Sequence, residues 1–138
     1  MPIGSAIKAG HRVSLPADWP MFPPGPFKLM RTAITRTSRN GDILNSSEGI
    51  SPEQARRAIA IDAAWQLFMD GRVGSIEPGK LADFTVVDRN PPPVPPSDLH
   101  DLIVRAGATR ANSSLGSQKV PPHSSSPHSP RNPKVITG

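Results

Sequence analysis

The residues of this chain that could do chemistry are few. Asp18 stands in Pro16-Ala17-Asp18-Trp19-Pro20, and four histidines, His11, His100, His123 and His128, are spread along the sequence. A carboxylate at the end of a strand can act as a general base or a metal ligand, and histidine is the usual donor to a catalytic zinc. No two of these histidines share a chelating spacing on a predicted element. His11 reads as a solvent-facing residue ahead of a strand, and His123 and His128 as incidental residues of a Ser/Pro tail. From the residues alone Asp18 has a plain alternative, because aspartate before Trp-Pro readily caps a loop through side-chain-to-backbone bonds. Lys80, after Glu77-Pro78-Gly79, reads as a turn residue, since the glycine-rich loop and following helix of a phosphate cradle are missing. Arg36, ending a predicted helix, suits either a substrate contact or the negative end of the helix dipole.

Composition narrows the classes further. The chain has 138 residues, of which 18 are proline and four per cent aromatic, so little apolar material is available for a core. The absence of cysteine excludes disulfides, thiolate metal sites and cysteine catalysis, and fits a reducing, cytoplasmic setting. Met1-Pro2-Ile3-Gly4-Ser5-Ala6 lacks the basic flank and apolar run of a signal peptide, and no segment is long and apolar enough to span a membrane. The net charge of +5 is scattered rather than clustered, and Trp19, Trp65 and Phe68 do not interleave with it as a stacking platform, so nucleic acid is not expected as a partner.

The elements that must position these residues can be placed. Arg12-Val13-Ser14-Leu15 predicts a short strand feeding the Asp18 loop, and Phe27 to Arg36 a helix led by Pro26, with Phe27, Met30, Ala33 and Ile34 on one face. Ser51-Pro52-Glu53-Gln54 is a capping box. The helix it starts is expected to run to Gly71 and to bury Ala55, Ala58, Ile59, Ile61, Ala64, Trp65 and Phe68. A turn-rich Gly74 to Lys80 then leads to a strand over Ala82 to Asp88, ended by Pro91-Pro92-Pro93, with one more short element over Asp98 to Val104. Residues 109–138 are expected to be a disordered Ser/Pro-rich tail.

Taken together, Gly74-Ser75-Ile76-Glu77-Pro78-Gly79-Lys80-Leu81-Ala82-Asp83-Phe84-Thr85-Val86-Val87-Asp88, the capped helix before it, and Gly10 to Pro20 upstream resemble the C-terminal part of the amidohydrolase superfamily. The likeness is to its third amidohydrolase-type domain family, which includes N-substituted formamide deformylases. It implies an α/β fold: the C-terminal fragment of a (β/α)8 TIM-like barrel plus part of a small β-sandwich, followed by the tail. Residues 1–73 would be the last strand and helices of the barrel, and 74–108 part of the composite sandwich. Arg12 to Asp18 would be the eighth barrel strand. Asp18 would be both general base and metal ligand, with Zn2+ as cofactor and a small amide-like molecule as substrate.

The resemblance also sets limits. The family's His-x-His pair and remaining ligands have no counterpart here, Ala17 replaces the usual serine or threonine, and the final strand beyond Val104 is expected to be missing, leaving an edge exposed. The resemblance therefore implies a hydrolase fragment that is inactive alone, and the departures suggest a truncated, mispredicted or frameshifted reading frame. The alternative is a non-catalytic module that pairs with another chain, and a homo-oligomer is compatible with either. A further alternative, an anion-binding tail, rests on Lys119, Arg131 and Lys134.

Overall fold

The structure, a computed structural model, describes residues 1–21, 25–38, 40–91, 95–108 and 134–137. Among these residues four short helices precede a small sheet: α1 (Ile3–Lys8), α2 (Pro26–Thr35), α3 (Pro52–Ile59), α4 (Ile61–Gln66), β1 (Phe84–Val87), β2 (Val104–Ala108) and β3 (Lys134–Thr137). Two 3₁₀ turns, Ser46–Glu48 and Pro96–Asp101, join them.

Two helices begin where local chemistry says they should. Pro26 occupies the first turn of α2, where its missing amide leaves no bond unmade, and the left-handed Arg36 (φ 57°) ends it. Ser51 caps α3 by accepting from the Gln54 amide at 3.1 Å, while Gln54 Oε1 accepts from the Ser51 amide at 2.8 Å. The apolar face of α2 supplies Met30 and Ala33 to a core shared with Ile3, Ile50, Ala55, Leu99 and Leu102. Leu99 and Leu102 come from the 3₁₀ turn before β2 and its exit, so the stretch leading into the sheet is packed into the helical core.

The expected single helix from Pro52 to Gly71 is instead two. Ala60 (φ −119°, ψ −98°) breaks it, and α4 ends at Gln66. The break releases the Ala58 carbonyl, which in an unbroken helix would accept from Asp62; the Leu15 amide takes it at 3.3 Å. It also opens room for the backbone of Gly74 (φ +90°), where a Cβ would lie 2.8 Å from Ala64 Cβ and 2.9 Å from Ile61 Cα. Glycine is therefore required at the head of the Gly74–Asp88 string. The same change of phase turns the end of α4 outward: Ala55, Ala58 and Ala64 are buried as expected, but Trp65 is 46% and Phe68 95% exposed.

The sheet runs in the order β2-β1-β3, antiparallel throughout. Phe84 pairs with Ala108 on one side and Thr137 on the other, and Arg105 is bulged out where Val86 faces Ala106 and Val87 faces Val104. Two expectations change here. Val104 to Ala108 supplies the strand expected to be absent, and Lys134–Thr137, inside the stretch expected to be disordered, forms a strand; Val135, Ile136 and Thr137 are the β-branched run that a strand favours. The rest of that tail, with His123 and His128, lies outside the described residues.

The predicted strand over Arg12 to Leu15 does not form. A strand needs a neighbour to complete its amide and carbonyl bonds, and this stretch has the α3–α4 corner beside it rather than other barrel strands. Among the described residues there is no barrel, and the sheet has a single layer. The helix–sheet mixture is α/β, as the resemblance implied. None of the described helices is long and apolar enough to cross a membrane.

Candidate functional site

Asp18 sits in a tight turn rather than at a strand end. Its φ is +55°, its carbonyl accepts from the Met21 amide at 2.8 Å, and the Trp19–Pro20 bond between them is cis. Aspartate is among the few side chains that tolerate this left-handed backbone. The residue is exposed, and its carboxylate makes no hydrogen bond or ion pair among the described residues. Trp19 and Met21 beside it are also exposed.

His11, whose side chain alone of the four histidines lies within the described residues, does not join a group of ligands with it. His11 is exposed at the mouth of a small cleft, and the side chain of His100 is outside the described set. A catalytic zinc takes about three protein ligands. Among the described residues no three histidine, aspartate or glutamate side chains gather, so the described donors do not by themselves make up a zinc site. No reaction step can be routed through a metal held by these residues.

The other polar residues singled out in the sequence have structural work. Lys80 Nζ donates to Ser75 Oγ at 2.5 Å and lies 3.4 Å from Glu77 Oε1, while Ser75 Oγ donates to Glu77 at 2.7 Å. The Ser75 hydroxyl, and then Lys80, hold the Glu77 carboxyl below its ordinary range, and the three residues lock the turn into β1. Arg36 donates to the carbonyls of Leu44 at 3.2 Å and Met1 at 3.4 Å, a backbone clamp rather than a ligand contact. Asp88 Oδ1 accepts from the Ile103 amide at 3.0 Å and ties the end of β1 to the approach to β2.

One functional-looking carboxylate was not found by sequence reasoning. Glu48 is only 8% exposed, with Oε2 accepting from the Ser5 amide at 2.8 Å and Oε1 from the Ser5 hydroxyl at 2.5 Å. The hydroxyl of Ser5, then its amide, then the Gly4 amide and the charge of Lys8 push its carboxyl below the ordinary range against the opposing effect of burial. Pro2, at the cap of α1, has no side-chain oxygen to offer the first turn, and Glu48 takes that place from the distant 3₁₀ turn. Gly4 allows the approach, since a Cβ there would lie 3.1 Å from the Glu48 backbone. No local spacing signals this pair, which is separated by 43 residues.

Comparison with known proteins gives one family, described as "Amidohydrolase family", whose model matches residues 1–109. The chain is 35% identical over 103 residues to the N-substituted formamide deformylase of Arthrobacter pascens, covering 75% of this chain and 19% of that enzyme. It is 37% identical over 87 residues to Protein LONG AFTER FAR-RED 3 of Arabidopsis thaliana, covering 62% of this chain and 15% of that protein. The chain thus spans less than a fifth of the length of these relatives. No solved structure matches it.

Proposed function

The chain belongs to the amidohydrolase family, and from that we propose that it is the C-terminal segment of a hydrolase of carbon–nitrogen bonds other than peptide bonds, acting on a small amide-like substrate. The observation that carries the proposal is the family match over residues 1–109, which takes in both the Asp18 turn and the Gly74–Asp88 string. In this reading Asp18 is the base that receives the proton of the attacking water, for which an exposed carboxylate with no partner among the described residues is available. Zinc belongs to the complete enzyme in the same reading, held by ligands beyond those described here. The isolated chain is then inactive. A chain without cysteine suits the cytoplasm.

A graft tests this. The deformylase's own C-terminal segment is replaced by this chain, and hydrolysis of an N-substituted formamide is followed. The grafted enzyme should turn over, and Asp18→Asn in it should lower kcat by about 10²–10⁴-fold. A folded but inactive graft, or an Asp18→Asn graft as fast as its parent, refutes the proposal, as does amide hydrolysis by the isolated chain with or without Asp18.

A second reading, a non-catalytic module pairing with another chain, is favoured by the end of α4, where Leu67 is 72% exposed next to Phe68. Under it the graft stays inactive and sedimentation of the isolated chain shows self-association that Phe68→Ser abolishes.

A further inference from the structure

A cleft of about 160 Å³ opens between the stretch after α1 and the α3–α4 corner. That is well above the space one water needs, and it admits a ligand of a few heavy atoms. Its walls include Ile7 and Val13, which are apolar, and Arg12, Arg57 and Asp62, which are charged. Asp62 is already committed to Arg57 at 3.3 Å, so that pair contributes no net charge. Arg12 has no carboxylate partner among the described residues. Its guanidinium lies 4.9 Å from the centre of the Trp65 ring, a cation–π contact that fixes its plane while leaving N–H donors at its edge.

The other polar groups around it lean the same way. The ring of His11 has no hydrogen-bond partner among the described residues. Gln54 spends its carbonyl oxygen on the Ser51 amide, which leaves its NH₂ group as a donor. Among the described residues the cleft therefore offers a cation without a carboxylate partner and surplus donors, and the carboxylate of Asp62 is spoken for. Next to Gly10, where a Cβ would meet nothing within 4 Å, it is open to solvent.

We infer that this cleft binds a small aliphatic carboxylate, with Arg12 as the charged anchor and Ile7 and Val13 against the hydrocarbon. The forked donors of arginine match the two oxygens of a carboxylate, and the apolar wall sets an alkyl acid above a bare inorganic anion. The inference does not depend on the hydrolase reading.

Titration of the full chain with butyrate, acetate and inorganic phosphate at constant ionic strength, followed by backbone amide NMR at His11, Arg12 and Gln54, tests it. The expected result is saturable shifts, tightest for butyrate and weakest for phosphate. Arg12→Gln should weaken butyrate by about tenfold. Asp62→Asn should strengthen it by freeing Arg57, an outcome that a misfolded variant could not give. Shifts that fail to saturate, phosphate binding as tight as butyrate, or an Arg12→Gln chain that responds like its parent would overturn the assignment.

Discussion

Glu48 and Asp18 are two carboxylates in opposite circumstances. Glu48 is nearly buried and held by the hydroxyl and amide of Ser5, at the junction of α1 with the 3₁₀ turn Ser46–Glu48. Asp18 projects from an exposed turn with no partner for its oxygens among the described residues. A carboxylate leaves water at a large cost unless donors replace the lost hydration, so Glu48 has been committed to the fold. Asp18 has not. Of these two, the carboxylate to which the proposed function gives a chemical role is the one without a partner among the described residues.

The contrast extends to the surroundings of each. Met30, in the core that α1 packs against, is 1% exposed, while the apolar side chains near Asp18 and at the end of α4 face outward. The largest expected effect breaks the closed region: Met30→Ala should cost about 2–5 kcal/mol, read from urea unfolding of the chain. Phe68→Ala should shift the same curve by less than about 0.5 kcal/mol. If the two cost the same, the division into a closed and an open region is wrong.

Acid sharpens the comparison next. Because its hydrogen bonds lower the Glu48 carboxyl, the folded chain takes up this proton less readily than the unfolded chain. The stabilisation it gives is complete above the ordinary glutamate range, about 4.3, and is lost as pH falls through the lowered folded value. The unfolding midpoint should therefore fall on acidification below about pH 4.3, and Glu48→Gln should be less stable at neutral pH with a flatter acid limb. An unchanged acid limb in Glu48→Gln would assign the sensitivity to another group. Glu53, lowered mainly by its hydrogen bond with Arg56, and Glu77 contribute in the same direction.

A smaller effect is expected where structure is local. Ser51→Ala removes the oxygen that accepts from the Gln54 amide and should cost about 0.5–2 kcal/mol in the same unfolding assay. This capping box, with the helix led by Pro26 and the Gly74–Asp88 string, was legible in the sequence because each signal lies within a few residues of what it determines. What could not be read depends on distant partners. The start of α1 is completed by Glu48, the break at Ala60 serves Leu15 and Gly74, and β1 pairs with Lys134–Thr137 nearly fifty residues on. Periodicity placed Trp65 and Phe68 on the buried face of one long helix, and the change of phase at Ala60 sent them outward. Asp18 and its loop were legible, but the loss of the strand before them was not, since that strand needs neighbours that are not beside it here.

The smallest effect carries the most information about Asp18. Asparagine accepts a left-handed backbone as readily as aspartate, and the carboxylate has no partner among the described residues, so Asp18→Asn should leave unfolding of the isolated chain within about 0.5 kcal/mol. The same substitution should be severe in the grafted hydrolase. That separation is what a chemical role produces, because the charge would then matter only to a reacting water and not to the fold. A loss of stability in the isolated chain approaching that of Ser51→Ala would mean that the carboxylate is holding its own turn, and the assignment of Asp18 to catalysis would lose its physical support.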